Sequence, residues 1–294
     1  HFRILLMQYH VLVIFKTIIT AAMLIVGTLL LVNQQLNIGQ FIAAEIIILL
    51  ILNSVEKLIM NLGSVYDTLT SVEKIANLTD KPAEADATMQ LLENGKGLKV
   101  ELKALGFSYD DEIQILKNIS VLINPGERVC VQGRDSSGKS TLLRLMAGAY
   151  TGFSGDLLLD DAPLGNYNLA SVRSHVGVLI NQQDIFHGTV LENISLGNEN
   201  ISMRDVIQIA TQVGLATFIA GLKMGYDTVL DPTGKRLPRS IVHKILLVRA
   251  LAGKPRLLLL EEPWQDPTNA DGQRITDLLM GLENTTLVVV TNDE

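Results

Sequence analysis

The chain has 294 residues, 48% of them apolar, enough for a sizeable core whether it folds as one domain or two. A formal charge of -7 and an isoelectric point near 5.3 argue against a nucleic-acid binder, because neutralising phosphates needs a concentrated basic face. The one cysteine, Cys130, excludes an internal disulfide and fits no thiolate metal site, and its apolar neighbours predict a small core residue.

Apolar residues crowd into the first part of the chain. Residues 11–32 carry one charge, Lys16, and residues 38–52 carry one, Glu45. At about 1.5 Å rise per residue the first run reaches roughly 33 Å as a helix, the hydrocarbon thickness of a bilayer. The second needs its flank through Val55 to span. Two such arms do not fit a secretory signal, which has one shorter apolar core and a small-residue cleavage site. The link Asn33-Gln34-Gln35-Leu36-Asn37 is polar and uncharged, whereas Arg3 precedes the first arm and Lys57, Lys74 and Lys81 follow the second. The positive-inside tendency then places the loop outside and both ends in the cytoplasm. Leu58, Ile59, Leu62, Val65, Leu69, Val72 and Ile75 continue the helical spacing, which predicts an amphipathic stalk beyond the membrane. Lys16 is expected to snorkel to the headgroups, and Glu45, about 10 Å into the second arm, to face a bundle interior or a watery path.

Helix signals fade at Thr79-Asp80-Lys81-Pro82, and residues 81–97 read as a polar linker. From residue 98 to 294 strand-like runs (98–102, 120–123, 128–132, 176–180, 256–260, 286–290) alternate with helix-like stretches, the pattern of an α/β domain with a partly parallel sheet. The chain begins without methionine and stops soon after a strand-like run, so it is expected to be a piece truncated at both ends.

Gly133-Arg134-Asp135-Ser136-Ser137-Gly138-Lys139-Ser140-Thr141 satisfies G-x-x-x-x-G-K-[ST] in full, after a strand and before the helical run 140–147. Glycines let backbone N–H groups curl around phosphates, the helix amino end adds positive potential, Lys139 reaches the outer phosphates and Ser140 holds Mg²⁺. Downstream, the buried-type run 256–260 ends in Glu261 and Glu262. A strand end of this kind is where such a fold places metal and water chemistry. Glu261 would orient Mg²⁺, usually the task of an aspartate, and Glu262 would polarise the attacking water.

With these motifs the chain resembles the ATP-binding cassette exporters in which membrane helices and one cassette share a polypeptide. The resemblance covers nearly the whole chain. It implies that residues 1–80 are the last two transmembrane helices and their stalk. Residues 98–294 would be an α/β P-loop nucleotide-binding domain with a helical subdomain, truncated at its C-terminus. Phe107-Ser108-Tyr109 is similar to the adenine-stacking segment, with Tyr109 as the ring. Residues 176–181, followed by Phe186, Gly188, Thr189, Glu192 and Asn193, resemble the segment that carries the cassette's glutamine. Asn181 stands at that position as a catalytic and metal-binding amide, with Gln182 next door as a substitute. Gly225-Tyr226-Asp227-Thr228 resembles the approach to the signature motif.

Three departures qualify the resemblance. Where the family reads LSGGQ, this chain has Leu237-Pro238-Arg239-Ser240-Ile241, which removes a serine hydroxyl and introduces a large cation while leaving the helix start tolerable. Asn292 stands in place of the switch histidine and can bond a phosphate without carrying charge. The contact loop Pro263-Trp264-Gln265-Asp266-Pro267 also lacks a clearly placed aspartate. The resemblance implies an integral membrane protein, with the cassette in the cytoplasm and the cell (inner) membrane as its site. It implies ATP and Mg²⁺ as cofactors, a second half-transporter subunit and the lipid bilayer as partners, a transported substrate the sequence does not name, and no nucleic acid. The expected activity is ATP hydrolysis coupled to transport; the alternative is an ATP-binding, poorly hydrolysing regulatory subunit of a heterodimer. In a homodimer each site would pair a good phosphate loop with a poor signature, binding ATP tightly and cleaving it slowly. An intact signature on a different partner would complete this chain's own site.

Overall fold

The computed structural model describes residues 2–80, 84, 87–92, 95–109, 113–181, 184–230, 237–264 and 268–291. The chain divides into two compact units, His1–Ala83 and Glu84–Glu294.

No proline interrupts the first unit before residue 82, and it forms two long helices, α1 (Phe2–Val32) and α2 (Ile38–Thr79). α1 has a span at His10–Val32, and α2 likewise has a stretch long and apolar enough to cross a membrane. A capping box fixes the start of α2: the Asn37 side chain accepts from the Gln40 N–H at 2.8 Å, and Gln40 accepts from the Asn37 N–H at 3.1 Å. The two helices pack closely where Gly27 meets the ring of Phe41, which a Cβ at residue 27 would approach to 2.3 Å. α2 runs unbroken to Thr79, as its apolar spacing predicts. Lys16 also finds partners within the hairpin. Its ammonium donates to Glu56 at 3.0 Å and to Asn53 at 3.2 Å, so its charge is balanced across the hairpin.

The second unit begins with an antiparallel sheet and a parallel one. In chain order its elements are β1 (Val100–Ser108), β2 (Gln114–Ile123), β3 (Arg128–Gln132), α3 (Lys139–Met146), β4 (Ser154–Leu159), β5 (Ala162–Pro163), α4 (Leu169–His175) and β6 (Val176–Leu179). Then follow β7 (Gly188–Thr189), α5 (Val190–Ser195), α6 (Met203–Gln212), α7 (Ala216–Ala220), β8 (Val229–Leu230), α8 (Arg239–Ala252), β9 (Leu257–Glu261), α9 (Ala270–Met280) and β10 (Thr286–Thr291). Strand order is β2-β1-β4-β5 in the antiparallel sheet and β3-β10-β9-β6 in the parallel one.

The parallel strands β9 and β10 are covered on both faces, which explains their unbroken apolar sequence. Leu257, Leu259, Val288 and Val290 point into a core shared with the antiparallel sheet, while Leu258, Leu260, Leu287 and Val289 point into a second core made with the helices. α8 lies tight on β6 at Gly177, where a Cβ would come within 2.0 Å of the Ala250 carbonyl oxygen. Cys130 corrects the expectation of a core thiol. β3 ends the parallel sheet, its residues alternate in exposure, and Cys130 falls on the open side with Arg128 and Gln132.

Part of the predicted linker is built into the second unit. Leu91 lies in the first core and its N–H donates to Ser171. A buried guanidinium ties this stretch down: Arg256 donates to the carbonyls of Leu92, Lys96 and Gly97 and pairs with Asp160 at 2.6 Å. Replacing Asp160 by Ala strands that charge in the interior, a loss of about 3–5 kcal/mol. Urea unfolding of the full chain in detergent, followed by the fluorescence of its single tryptophan, Trp264, should show a correspondingly lower midpoint.

Candidate functional site

The site forms at the carboxyl ends of the parallel strands. Behind β3 the chain turns through residues 133–138 into α3, and two features force that turn. Ser136 has φ of 61° and Gly138 has φ of 90°, the left-handed region. A Cβ on Gly138 would sit 2.8 Å from the Leu116 side chain and 3.1 Å from that of Ile115, so glycine is required for space as well as for conformation. The loop curls around Lys139, whose ammonium donates to the carbonyls of Gly133 at 2.7 Å and Arg134 at 2.8 Å. α3 starts without a side-chain cap, leaving its first N–H groups for an anion. A turn of this kind can receive a phosphate.

Ser140, in the first turn of α3, donates to Glu261 Oε1 at 2.5 Å, and the Asn181 main-chain N–H donates to Glu261 Oε2 at 3.1 Å. Glu261 ends β9 and is buried, 8% exposed. Three residues distant in sequence thus meet at one carboxylate. A hydroxyl and a carboxylate oxygen suit Mg²⁺, which prefers hard oxygen donors and completes its shell with water and phosphate. Asn181 joins the group through its backbone, and its side chain is exposed.

Glu262 follows with φ of 47°, half-buried, its N–H bonded to the Val290 carbonyl at 2.9 Å. Tyr109 is half-exposed, edge-on to Phe107 and Tyr150, with its hydroxyl 3.0 Å from that of Thr141. It therefore stands beside α3. Asn292 and Gln182 lie outside the described residues, as do Gln265, Asp266 and Pro267.

The altered signature keeps its helix. Pro238 caps α8, its carbonyl accepting from the N–H groups of Ile241 and Val242. Leu237 and Ile241 pack on the second core, while Pro238 and Arg239 are exposed.

The sequence reading missed two residues of α8. Arg249 donates to the Asn193 carbonyl at 2.6 Å and to that of Asp184, while Asn193, fully buried, brackets Phe186 and Thr189 through its amide. His243 Nε2 lies 2.9 Å from the Glu262 carbonyl oxygen. Burial holds the imidazole below its ordinary pKa, opposed by the bond to Glu262 and aided by the neighbouring Lys244, so the ring is neutral near pH 7. Polar side chains interrupting the otherwise apolar run of α8 were the available signal.

Comparison with known proteins places this geometry in context. The family described as ABC transporter matches residues 116–265. The cyclolysin secretion/processing ATP-binding protein CyaB of Bordetella pertussis is 31% identical over 246 residues, covering 83% of this chain and 34% of that protein. The ATP-dependent lipid A-core flippase of Saccharophagus degradans is 33% identical, covering 75% of this chain and 38% of the flippase. The alpha-hemolysin translocation ATP-binding protein HlyB of Escherichia coli O157:H7 is 29% identical over 80% of this chain and 33% of its own length. The chain therefore spans between a third and two fifths of these relatives. Among solved structures, a bacterial Atm1-family ABC exporter with ATP bound shares the fold over 95% of this chain and 50% of that one, with a TM-score of 0.69 at 22% identity.

Because Gly138 fails both sterically and conformationally as any other residue, Gly138→Ala should lower stability by about 1–3 kcal/mol. The check is the urea midpoint from Trp264 fluorescence; an unchanged midpoint would mean the loop is not held as described.

Proposed function

The chain belongs to the ABC transporter family, and on that premise we propose that it is the ATP-binding part of a membrane exporter subunit, coupling ATP binding and hydrolysis to transport. The observation that carries this reading is the hydrogen bond from Ser140 to Glu261 at 2.5 Å, which brings the phosphate loop and the carboxylate strand end into one site. Residues 133–141 would hold the phosphates, with Lys139 leaving its carbonyl partners for the outer phosphate oxygens. Ser140 and Glu261, with Asn181 beside them, would hold Mg²⁺, whose chemistry is to neutralise and orient the phosphates. Glu262 would accept the proton of the attacking water, Tyr109 would stack on the adenine, and Asn292 would face the terminal phosphate.

The two apolar helices support placement in a membrane, with the second unit in the cytoplasm and the cell membrane as the proposed site. The relatives named above are described by cyclolysin secretion, alpha-hemolysin translocation and lipid A-core flipping; this chain's cargo is left to the helices that line a path, since the cassette is a motor shared by many substrates. A second half-transporter subunit would supply the signature facing this chain's nucleotide. The exposed Pro238 and Arg239 would meet the nucleotide of that partner.

In the full-length protein in lipid vesicles, Lys139→Ala should abolish ATP binding, and undiminished binding would refute the cradle. Glu262→Gln should lower turnover by about 10²–10⁴-fold, the contribution of a general base, while ATP remains bound. Turnover indifferent to Glu262→Gln would remove that carboxylate from the mechanism. Measuring turnover with and without candidate partner subunits separates a homodimer from a heterodimer.

A further inference from the structure

We infer that His243 is a positioning residue for hydrolysis: through its Nε2–H it fixes the main chain of Glu262 and so aims the carboxylate, an inference that rests on the proposed role of Glu262. Glu262 has a conformation that needs holding. Its φ of 47° is left-handed, and it precedes Pro263, where a residue normally takes an extended backbone with negative φ. Sparsely populated conformations persist where surroundings over-determine them.

Two bonds do so here. On one side the Glu262 N–H is tied to the Val290 carbonyl on β10, and on the other the Glu262 carbonyl faces His243 Nε2 at 2.9 Å. A carbonyl oxygen can only accept, so Nε2 carries the hydrogen and, in the neutral ring, Nδ1 is bare. The strand bond holds the peptide before Glu262 and the helix bond holds the peptide after it. Released on one side, the 262–263 peptide can rotate and swing the carboxylate away from the line of attack.

His243 also stands one turn along α8 from Arg239, in the segment that departs from the family's signature. A movement at the exposed start of α8 therefore reaches the Glu262 backbone through one side chain. Packing alone would make His243 a spacer that any residue of similar volume could replace. A positioning role requires a donor at Nε2.

The test uses the full-length protein in lipid vesicles, with the partner that supports turnover. His243→Leu fills the site without a donor, and His243→Gln restores an amide N–H. The expected result is a fall in kcat of about tenfold for His243→Leu, in the range of one lost hydrogen bond, with KM for ATP unchanged and kcat largely recovered in His243→Gln. Should His243→Leu fail to fold by Trp264 fluorescence, His243→Thr, polar but too short to reach the carbonyl, takes its place. An unchanged kcat without the donor, or equal losses with leucine and glutamine, overturns the inference while leaving Glu262 in its role. Turnover insensitive to Glu262→Gln removes the reading on which the inference stands.

Discussion

A buried carboxylate must find donors for both of its oxygens, and much of the second unit is arranged around that demand at Glu261. One oxygen takes the hydroxyl of Ser140 and the other the N–H of Asn181. These partners arrive by different routes: Ser140 on the helix behind β3, Asn181 in the turn behind β6, Glu261 at the end of β9. The strand order β3-β10-β9-β6 brings all three to the same edge. Parallel strands end together on one side, so their loops converge where the strands stop, and the site inherits its location from the sheet. If the sheet slipped by a residue, the carboxylate would lose its donors and the apolar faces would exchange cores.

α8 is the second organising element. Its buried residues, Ile245 and Leu247 among them, fill the helical core, and Gly177 lets it sit against β6 without a gap. From this fixed axis Arg249 reaches the stretch 184–193 and His243 reaches Glu262. Both bonds go to backbone carbonyls, which are defined by the course of the chain rather than by side-chain rotamers. A helix bonded in this way is tied to backbone positions instead of merely packing beside them. The half-buried guanidinium of Arg249 is held by the Asn193 and Asp184 carbonyls and the Asn193 amide, with the Asp184 charge nearby offsetting its desolvation.

The legible part of the sequence was that governed by local chemistry. Strand β3 and the glycine-rich turn follow from a β-branched run meeting a motif whose positions each have a backbone reason, and the apolar runs of β9 and β10 announce strands covered on both faces. β4 went unread because Ser154-Gly155-Asp156 has the composition of a turn, and antiparallel pairing with β1 overrides it. Cys130 misled for a related reason: apolar neighbours suggest burial, but exposure depends on whether another layer covers that side of the strand. In the sequence Arg256 merely opens an apolar run. Its function as a clamp needs the partner Asp160, which lies far away in sequence and which no spacing reveals. The place of Glu262 after a strand is visible in the sequence, while its backbone contacts to His243 and Val290 exist only in three dimensions.

The altered signature illustrates how a surface can change without the fold. A proline costs little at the start of a helix, where no N–H partner is lost, and Pro238 occupies that place with both carbonyl bonds of the first turn intact. Ile241 adds apolar contact to the second core, which anchors the start of α8 from inside. What has changed is the face that solvent sees, where an arginine now stands. Under the proposed reading that face serves a nucleotide on another subunit, whereas Ser140, Glu261 and Glu262 serve this chain's own. Substitution there can therefore alter one of two nucleotide sites and leave the other with its donors in place, which is the asymmetry that pairing with a different subunit would exploit.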